Sequence, residues 1–193
     1  MALPITIPNS FANANAAIPL SQLDNNFSTV AVAINGIGNG AESLANVNIT
    51  GGSITGPNVS NVLLTNRNGE FVTIDANGAA NTINFDVSTQ QVLLYTGNAS
   101  ANVTLNIRGN SSASLNNVMA NNEAITIAFG MTNNATAKYV SLSQIDGTNV
   151  TPKWQGGTAP TGGNANSTDF YTYTVIKTGN ATYTVLAAQT KFA

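Results

Sequence analysis

The chain has no cysteine and no histidine in 193 residues. Without cysteine there is no disulfide, no thiolate nucleophile and no thiolate metal site. Without histidine the commonest general base, the commonest transition-metal ligand and every Ser-His or Cys-His nucleophilic system are missing. Catalysis would have to rest on carboxylates, lysine or tyrosine. Charge is also scarce: charged residues make up 7% of the chain, against about 25% in an ordinary globular domain. The six cations, Arg67, Arg108, Lys138, Lys153, Lys177 and Lys191, are scattered singly. Nucleic-acid binding needs a basic patch that neutralises several phosphates at once, so nucleic acid is not an expected partner. No stretch of about 18 apolar residues occurs, and membrane insertion is not expected. The opening MALPITIPNSFANANAAIPL lacks the basic segment and continuous apolar run of a secretory signal. The expectation is a protein made in a cytoplasm that reaches any later destination by assembly.

What fills the deficit is uncharged and polar, including thirty asparagines, while 42% of residues are hydrophobic, enough for a real core. Amide side chains suit turns, edge ladders and interchain hydrogen bonds. A rigid β-structured assembly fits this composition.

Residues 1 to 17 hold Pro4 and Pro8 and then an Ala/Asn alternation without helical period, which reads as an extended arm, either frayed or docked on a neighbour. From Pro19 the pattern changes. Leu20, Leu23, Phe27, Val30, Ile34 and Ile37 follow a spacing of 3, 4, 3, 4, 3, the a and d positions of a heptad. Pro19 suits a first helical turn, and the glycines of Gly36-Ile37-Gly38-Asn39-Gly40 end the helix. Such a stripe can pack on its own domain or on copies of itself, and we take self-association, as a homotrimer, as the expectation. The two closely spaced glycines do not make a dinucleotide-binding loop, because they close a helix rather than open one.

Residues 45–64 carry short apolar points, Ile49 and Ile54 among them, between Thr, Asn and turn residues. They read either as a three-chain β stalk, with Ile49 and Ile54 at the trimer interface, or as a linker lying across the domain. Beyond residue 70 the chain is a succession of strand candidates: 70–75, 81–87, 91–95, 103–108, 124–131, 138–145, 150–155, 170–177 and 181–188. Gly179-Asn180 between two alternating β-branched and aromatic runs marks a tight hairpin, and 110–122 allows one or two helical turns. The expected fold is mainly β, a C-terminal antiparallel β-sandwich of jelly-roll type. The arm and helix occupy 1–44, the stalk or linker 45–69 and the sandwich 70–193.

Two groups of residues are recognisable. Ile7-Pro8-Asn9-Ser10-Phe11, followed by Leu23-Asp24-Asn25-Asn26-Phe27, resembles N-terminal segments of tailed-phage virion proteins. Gln144-Ile-Asp-Gly147, Val150-Thr-Pro-Lys-Trp-Gln-Gly-Gly-Thr-Ala-Pro160, Ile176-Lys-Thr178 and Ala188-Gln-Thr-Lys-Phe192 resemble a domain shared by structural proteins of marine and cyanobacterial phages. The segment from Asn48 to Gly56 is similar to trimeric fibre stalks of such phages. The resemblance implies a virion structural protein, a fibre, spike or capsid decoration subunit that contacts itself and other virion proteins of the head or tail.

Candidate chemistry is thin. The eight acids could in principle furnish the carboxyl pair of a glycoside hydrolase. Several sit beside turns, however, where a carboxylate more often caps the backbone, and no enzyme activity is expected. No Asp-x-Asp-x-Asp-Gly run offers calcium a site, so neither metal nor cofactor is expected. Trp154, with Tyr171 and Tyr173, could form a stacking platform for a host-surface glycan. The alternative is that Trp154 closes the end of the sandwich.

Overall fold

Period-two alternation of apolar and polar residues, repeated between Gly and Asn turns, produces the strands that dominate the chain. The computed structural model describes residues 6–11, 17–38 and 69–193. Contacts divide the chain into two units, Met1–Val62 and Leu63–Ala193. The described part of the first unit is one helix, α1 (Leu20–Gly38), with residues of the preceding arm against it. It ends at Gly38, within the glycine run expected to stop it. Among the described residues no helix is long and apolar enough to cross a membrane. The stalk proposed over 45–64, with Ile49 and Ile54, lies outside the described residues.

The second unit is a β-sandwich of ten strands in two sheets. In chain order they are β1 (Val72–Gly78), β2 (Asn81–Asp86), β3 (Val92–Asn98), β4 (Val103–Arg108), β5 (Ala124–Thr132), β6 (Val140–Ile145), β7 (Thr148–Val150), β8 (Lys153–Trp154), β9 (Thr168–Gly179) and β10 (Thr182–Phe192). A short helix, α2 (Leu115–Val118), interrupts the series between β4 and β5. Strands β1 to β6 enter the two sheets alternately, β7 stays in the sheet of β6 and β8 to β10 join the other, giving a six-stranded order β1-β3-β5-β9-β10-β8 and a four-stranded order β2-β4-β6-β7.

Pairing is the main departure from expectation. β1, β3 and β5 pair in parallel in one sheet, and β2, β4 and β6 pair in parallel in the other. The chain from Val72 to Ile145 therefore winds as three stacked, flattened coils, each coil giving one strand to each sheet. Parallel neighbours need a crossover, and here the crossover is a strand of the opposite sheet. Only β9 with β5, β9 with β10 and β7 with β6 are antiparallel. The pairing is thus mixed rather than antiparallel throughout, and the coiled connectivity replaces that of a jelly roll.

Small residues let the coils stack. At the corner after β1 and again after β3, Ala79 and Ala99 are buried one above the other, linked by Ser100 N–H donating to Ala79 O at 3.1 Å. Gly97 is needed there, because an added Cβ would lie 2.6 Å from the Ala76 carbonyl oxygen. In the third coil Asn133 fills this corner, its amide spanning Lys138 O (3.0 Å) and Asp169 (3.2 Å) while Lys138 N–H returns to its oxygen. Ile83, Phe85, Leu105 and Ile107 from one sheet meet Leu93, Ile127, Phe129 and Val175 from the other to form the core.

The excursion between β4 and β5 is held by charge at both ends of α2. Asp146, in the positive-φ Asp146-Gly147 turn of the β6-β7 hairpin, accepts from Leu115 N–H at 2.7 Å. Lys177, 6% exposed, donates to Asn116 O and Met119 O at 2.6 and 2.7 Å. Each charge opposes the partial charge of the helix end it touches. Replacing Lys177 by Met leaves two carbonyls without donors. It should lower unfolding free energy by about 2 kcal/mol in urea titrations, with amide exchange accelerating first over 110–122.

Candidate functional site

Six apolar residues at heptad spacing place one stripe along α1. Leu20, Phe27 and Ile34 are 76, 65 and 59% exposed, with Leu23 and Ile37 also exposed and Val30 half-buried. The covered face is a different one: Gln22, Asn26 and Thr29 are half-buried, and Ala33 and Gly36 are buried. Asn9 of the arm docks on that face. Its backbone N–H and side-chain amide donate to Asn26 Oδ1 at 3.0 and 3.2 Å, and Asn26 returns a bond to Asn9 O at 2.9 Å. Thus the two N-terminal segments singled out by resemblance are brought together. Asn9 engages the polar part of that face at Gln22 and Asn26, and the apolar stripe is left facing solvent.

The proposed stacking platform is not formed. Tyr171 and Tyr173 are fully buried, which corrects their assignment as glycan contacts: neither ring has a face open to a sugar. Both point inward from β9 and bridge the sandwich. Tyr171 Oη accepts from Val140 N–H (3.2 Å) and from the Gln189 amide (3.0 Å), and Tyr173 Oη shares a hydrogen bond with Ser143 Oγ at 3.0 Å. Trp154, half-buried, stands edge-on to both, with ring centres 6.5 and 5.9 Å away. It closes the end of the core. Three shallow grooves of about 420, 210 and 310 Å³ border it, one lined by Thr172, Thr174 and Leu186, the second by Val140, Leu142 and Pro160, and the third by Gln155, Thr158 and Gln189.

Five of the described acids are engaged in structure. Asp75 accepts from Asn77, Asp86 pairs with Arg108, Glu123 accepts from Ala120 N–H at 2.7 Å, and Asp146 holds α2. Asp169 is fully buried and accepts from both the backbone and side chain of Asn164, from Asn133 and from Gln189. Among the described residues no three His, Cys, Asp or Glu side chains cluster as a metal site.

Sequence reasoning missed the contrast between the two outer faces of the sandwich. Across all four strands of one sheet runs a row of amides, Asn84, Asn106, Gln144 and Asn149, hydrogen-bonded at 2.8 and 2.9 Å between its outer pairs. The six-stranded sheet instead exposes Val72 and Ile74 on β1 and Leu186 and Phe192 on β10, with Leu94 and Phe170 half-buried between them. The signal was available: in β1 and β9 the outward parity also carries Val, Ile or Phe.

Burial raises the pKa of both bridging tyrosines, to about 12 for Tyr173 and further for Tyr171. Their neutral hydroxyls therefore stabilise the fold in full below the ordinary phenol value of 10.0, where folded and unfolded chains are both protonated. As pH rises from there through about 12 the unfolded chain ionises first and this stability is lost. Phenolate absorbance should show two of the five tyrosines resisting titration until the protein unfolds, and Tyr173→Phe should reduce the alkaline loss of stability. No family model matches this chain, and comparisons with curated proteins and with solved structures return no similar protein.

Proposed function

We propose that this chain is a structural component of a tailed-phage virion, a homotrimeric fibre, spike or capsid decoration subunit without catalytic activity. The observation that carries this reading is the solvent-facing heptad stripe of α1, whose other face is already engaged with the chain's own arm. An amphipathic helix in water with an apolar stripe exposed is incomplete, and a two-and-a-half-heptad seam gains most by meeting copies of itself. Burial at roughly 25 cal/mol per Å² of apolar surface supplies the driving force. The resemblance of the N-terminal segments and of the Trp154 region to virion proteins supports the same role. The amide-rich, charge-poor composition suits a rigid assembled shell or fibre. In this role the N-terminal region docks on other virion proteins of the head or tail and the sandwich is displayed.

Light scattering after size exclusion tests the arrangement. The wild-type 19.8 kDa chain should elute as a trimer, and the combined Phe27→Ser and Ile34→Ser variant as a monomer at low micromolar concentration. Both side chains are exposed in the single chain, so the substitutions leave its fold intact. A variant that stays trimeric overturns α1 as the assembly element.

A further inference from the structure

The turn that follows β8 carries polar groups that neither the core nor α1 uses. Gln155, Gly156 and Thr158 come directly after Trp154 in a short 3-10 turn, in which Gly156 and Gly157 hold φ of +77° and +81°, backbone that suits glycine and strains other residues. With Pro160 and with Gln189 of β10 they line the groove of about 310 Å³ beside Trp154. None of the residues lining it is charged. Gln155 and Thr158 are exposed and Trp154 is half-buried. Among the described residues, the indole N–H, the Gln155 amide and the Thr158 hydroxyl donate no hydrogen bond within the chain, and the one buried side-chain polar atom without a partner is Tyr183 Oη, so these groups reach solvent. Gln189 donates from Nε2 to Gly162 O at 3.2 Å and to Tyr171 Oη at 3.0 Å, which fixes its side chain and leaves Oε1 able to accept.

We propose that this groove binds a short segment of a neutral saccharide, with Trp154 against a sugar ring and Gln155, Thr158 and Gln189 around its hydroxyls. A pyranose has a C–H face suited to an aromatic ring and a rim of hydroxyls that each donate and accept. The groove offers the matching set: one indole, two planar amides and a hydroxyl. Its volume lies at the lower end of small-ligand sites. An anion finds no cation in this lining, and a wholly apolar ligand would leave the amides with neither water nor a partner. A peptide strand has only the two residues of β8 as a nearby edge to pair with. A longer saccharide continues toward Lys153, because Trp154 and Gln155 also line the groove of about 420 Å³. Tyr171 and Tyr173 act from beneath: edge-on to the indole, with ring centres 6.5 and 5.9 Å away, they hold it in place without reaching the sugar. The site rests neither on α1 nor on the virion reading.

Trp154 is the single tryptophan, so its fluorescence reports on this groove alone. In the full-length protein, titration with neutral tetrasaccharides of glucose, galactose, mannose or N-acetylglucosamine should shift Trp154 emission saturably for at least one of them, with a dissociation constant of about 0.1 to 1 mM. The Gln155→Ala and Thr158→Ala double variant keeps the indole and removes no side-chain donor that the fold uses. It should bind that sugar about tenfold more weakly at unchanged melting temperature. The Phe27→Ser and Ile34→Ser variant should bind as the wild type does, which separates the groove from the assembly role of α1. Absence of a saturable shift with every one of these sugars at about 10 mM overturns the site, as does binding that the double variant leaves unchanged. A sulfated tetrasaccharide that binds more tightly than its neutral counterpart overturns the neutral class.

Discussion

Tyr171 and Tyr173 tie the two kinds of β structure in the sandwich together. Stacked parallel coils hold neighbouring strands well within each sheet, but the third coil needs closing. β9 does this in two ways, by pairing antiparallel with β5 and by sending two tyrosines across the core to β6 of the opposite sheet. The Tyr171 hydroxyl accepts the N–H of Val140, beside the register shift between β4 and β6, where the regular ladder is interrupted. A buried N–H left without an acceptor there would cost about as much as the best single contact in the core. The aromatic bodies supply the packing and the hydroxyls answer the polar backbone, which is why tyrosine rather than phenylalanine suits both positions.

Few charges are present, and most of those described have a backbone or side-chain partner. Asp146 and Lys177 bracket α2, Asp86 pairs with Arg108, and Asp169 is enclosed by N–H donors from three residues. Amides do elsewhere what charges do in ordinary proteins. The Asn84 to Asn149 row crosses all four strands of one sheet and links β2 to β4 and β6 to β7 through neutral groups that are both donor and acceptor, so neither salt nor pH has much hold on it. With one outer face polar by amides and the other apolar, the sandwich is two-sided in a way that net charge does not reveal.

Much of this was legible in the sequence because it is local. Strands β4 and β5, the turn at Asp146-Gly147, the hairpin at Gly179-Asn180 and the helix from Leu20 follow from alternation, turn chemistry and heptad spacing. Strand partners did not follow, since a run such as Val103 to Arg108 has the same pattern whether its neighbour is parallel or antiparallel. The parity of β9 was equally ambiguous. Its inward set, Asp169, Tyr171, Tyr173, Val175 and Lys177, begins and ends with a charge, while its outward set includes Phe170 and Ile176. Only the partners, Asn164 and Asn133 for Asp169 and the α2 carbonyls for Lys177, make that inward face tolerable. The arm's docking through Asn9 was hidden for a related reason: one asparagine among thirty carries no mark of its partner.

The order of elements along the chain has a consequence for synthesis. Within the sandwich the coils emerge and stack on neighbours close in sequence before the strands that close them, β9 and β10, are made. A chain that stops before Thr168 keeps β5 as an unpaired edge and lacks both bridging tyrosines. It would remain an open, sticky template for other strands. Closure by the β9-β10 hairpin is therefore the step that separates a chain able to cover the β5 edge from one that leaves it open.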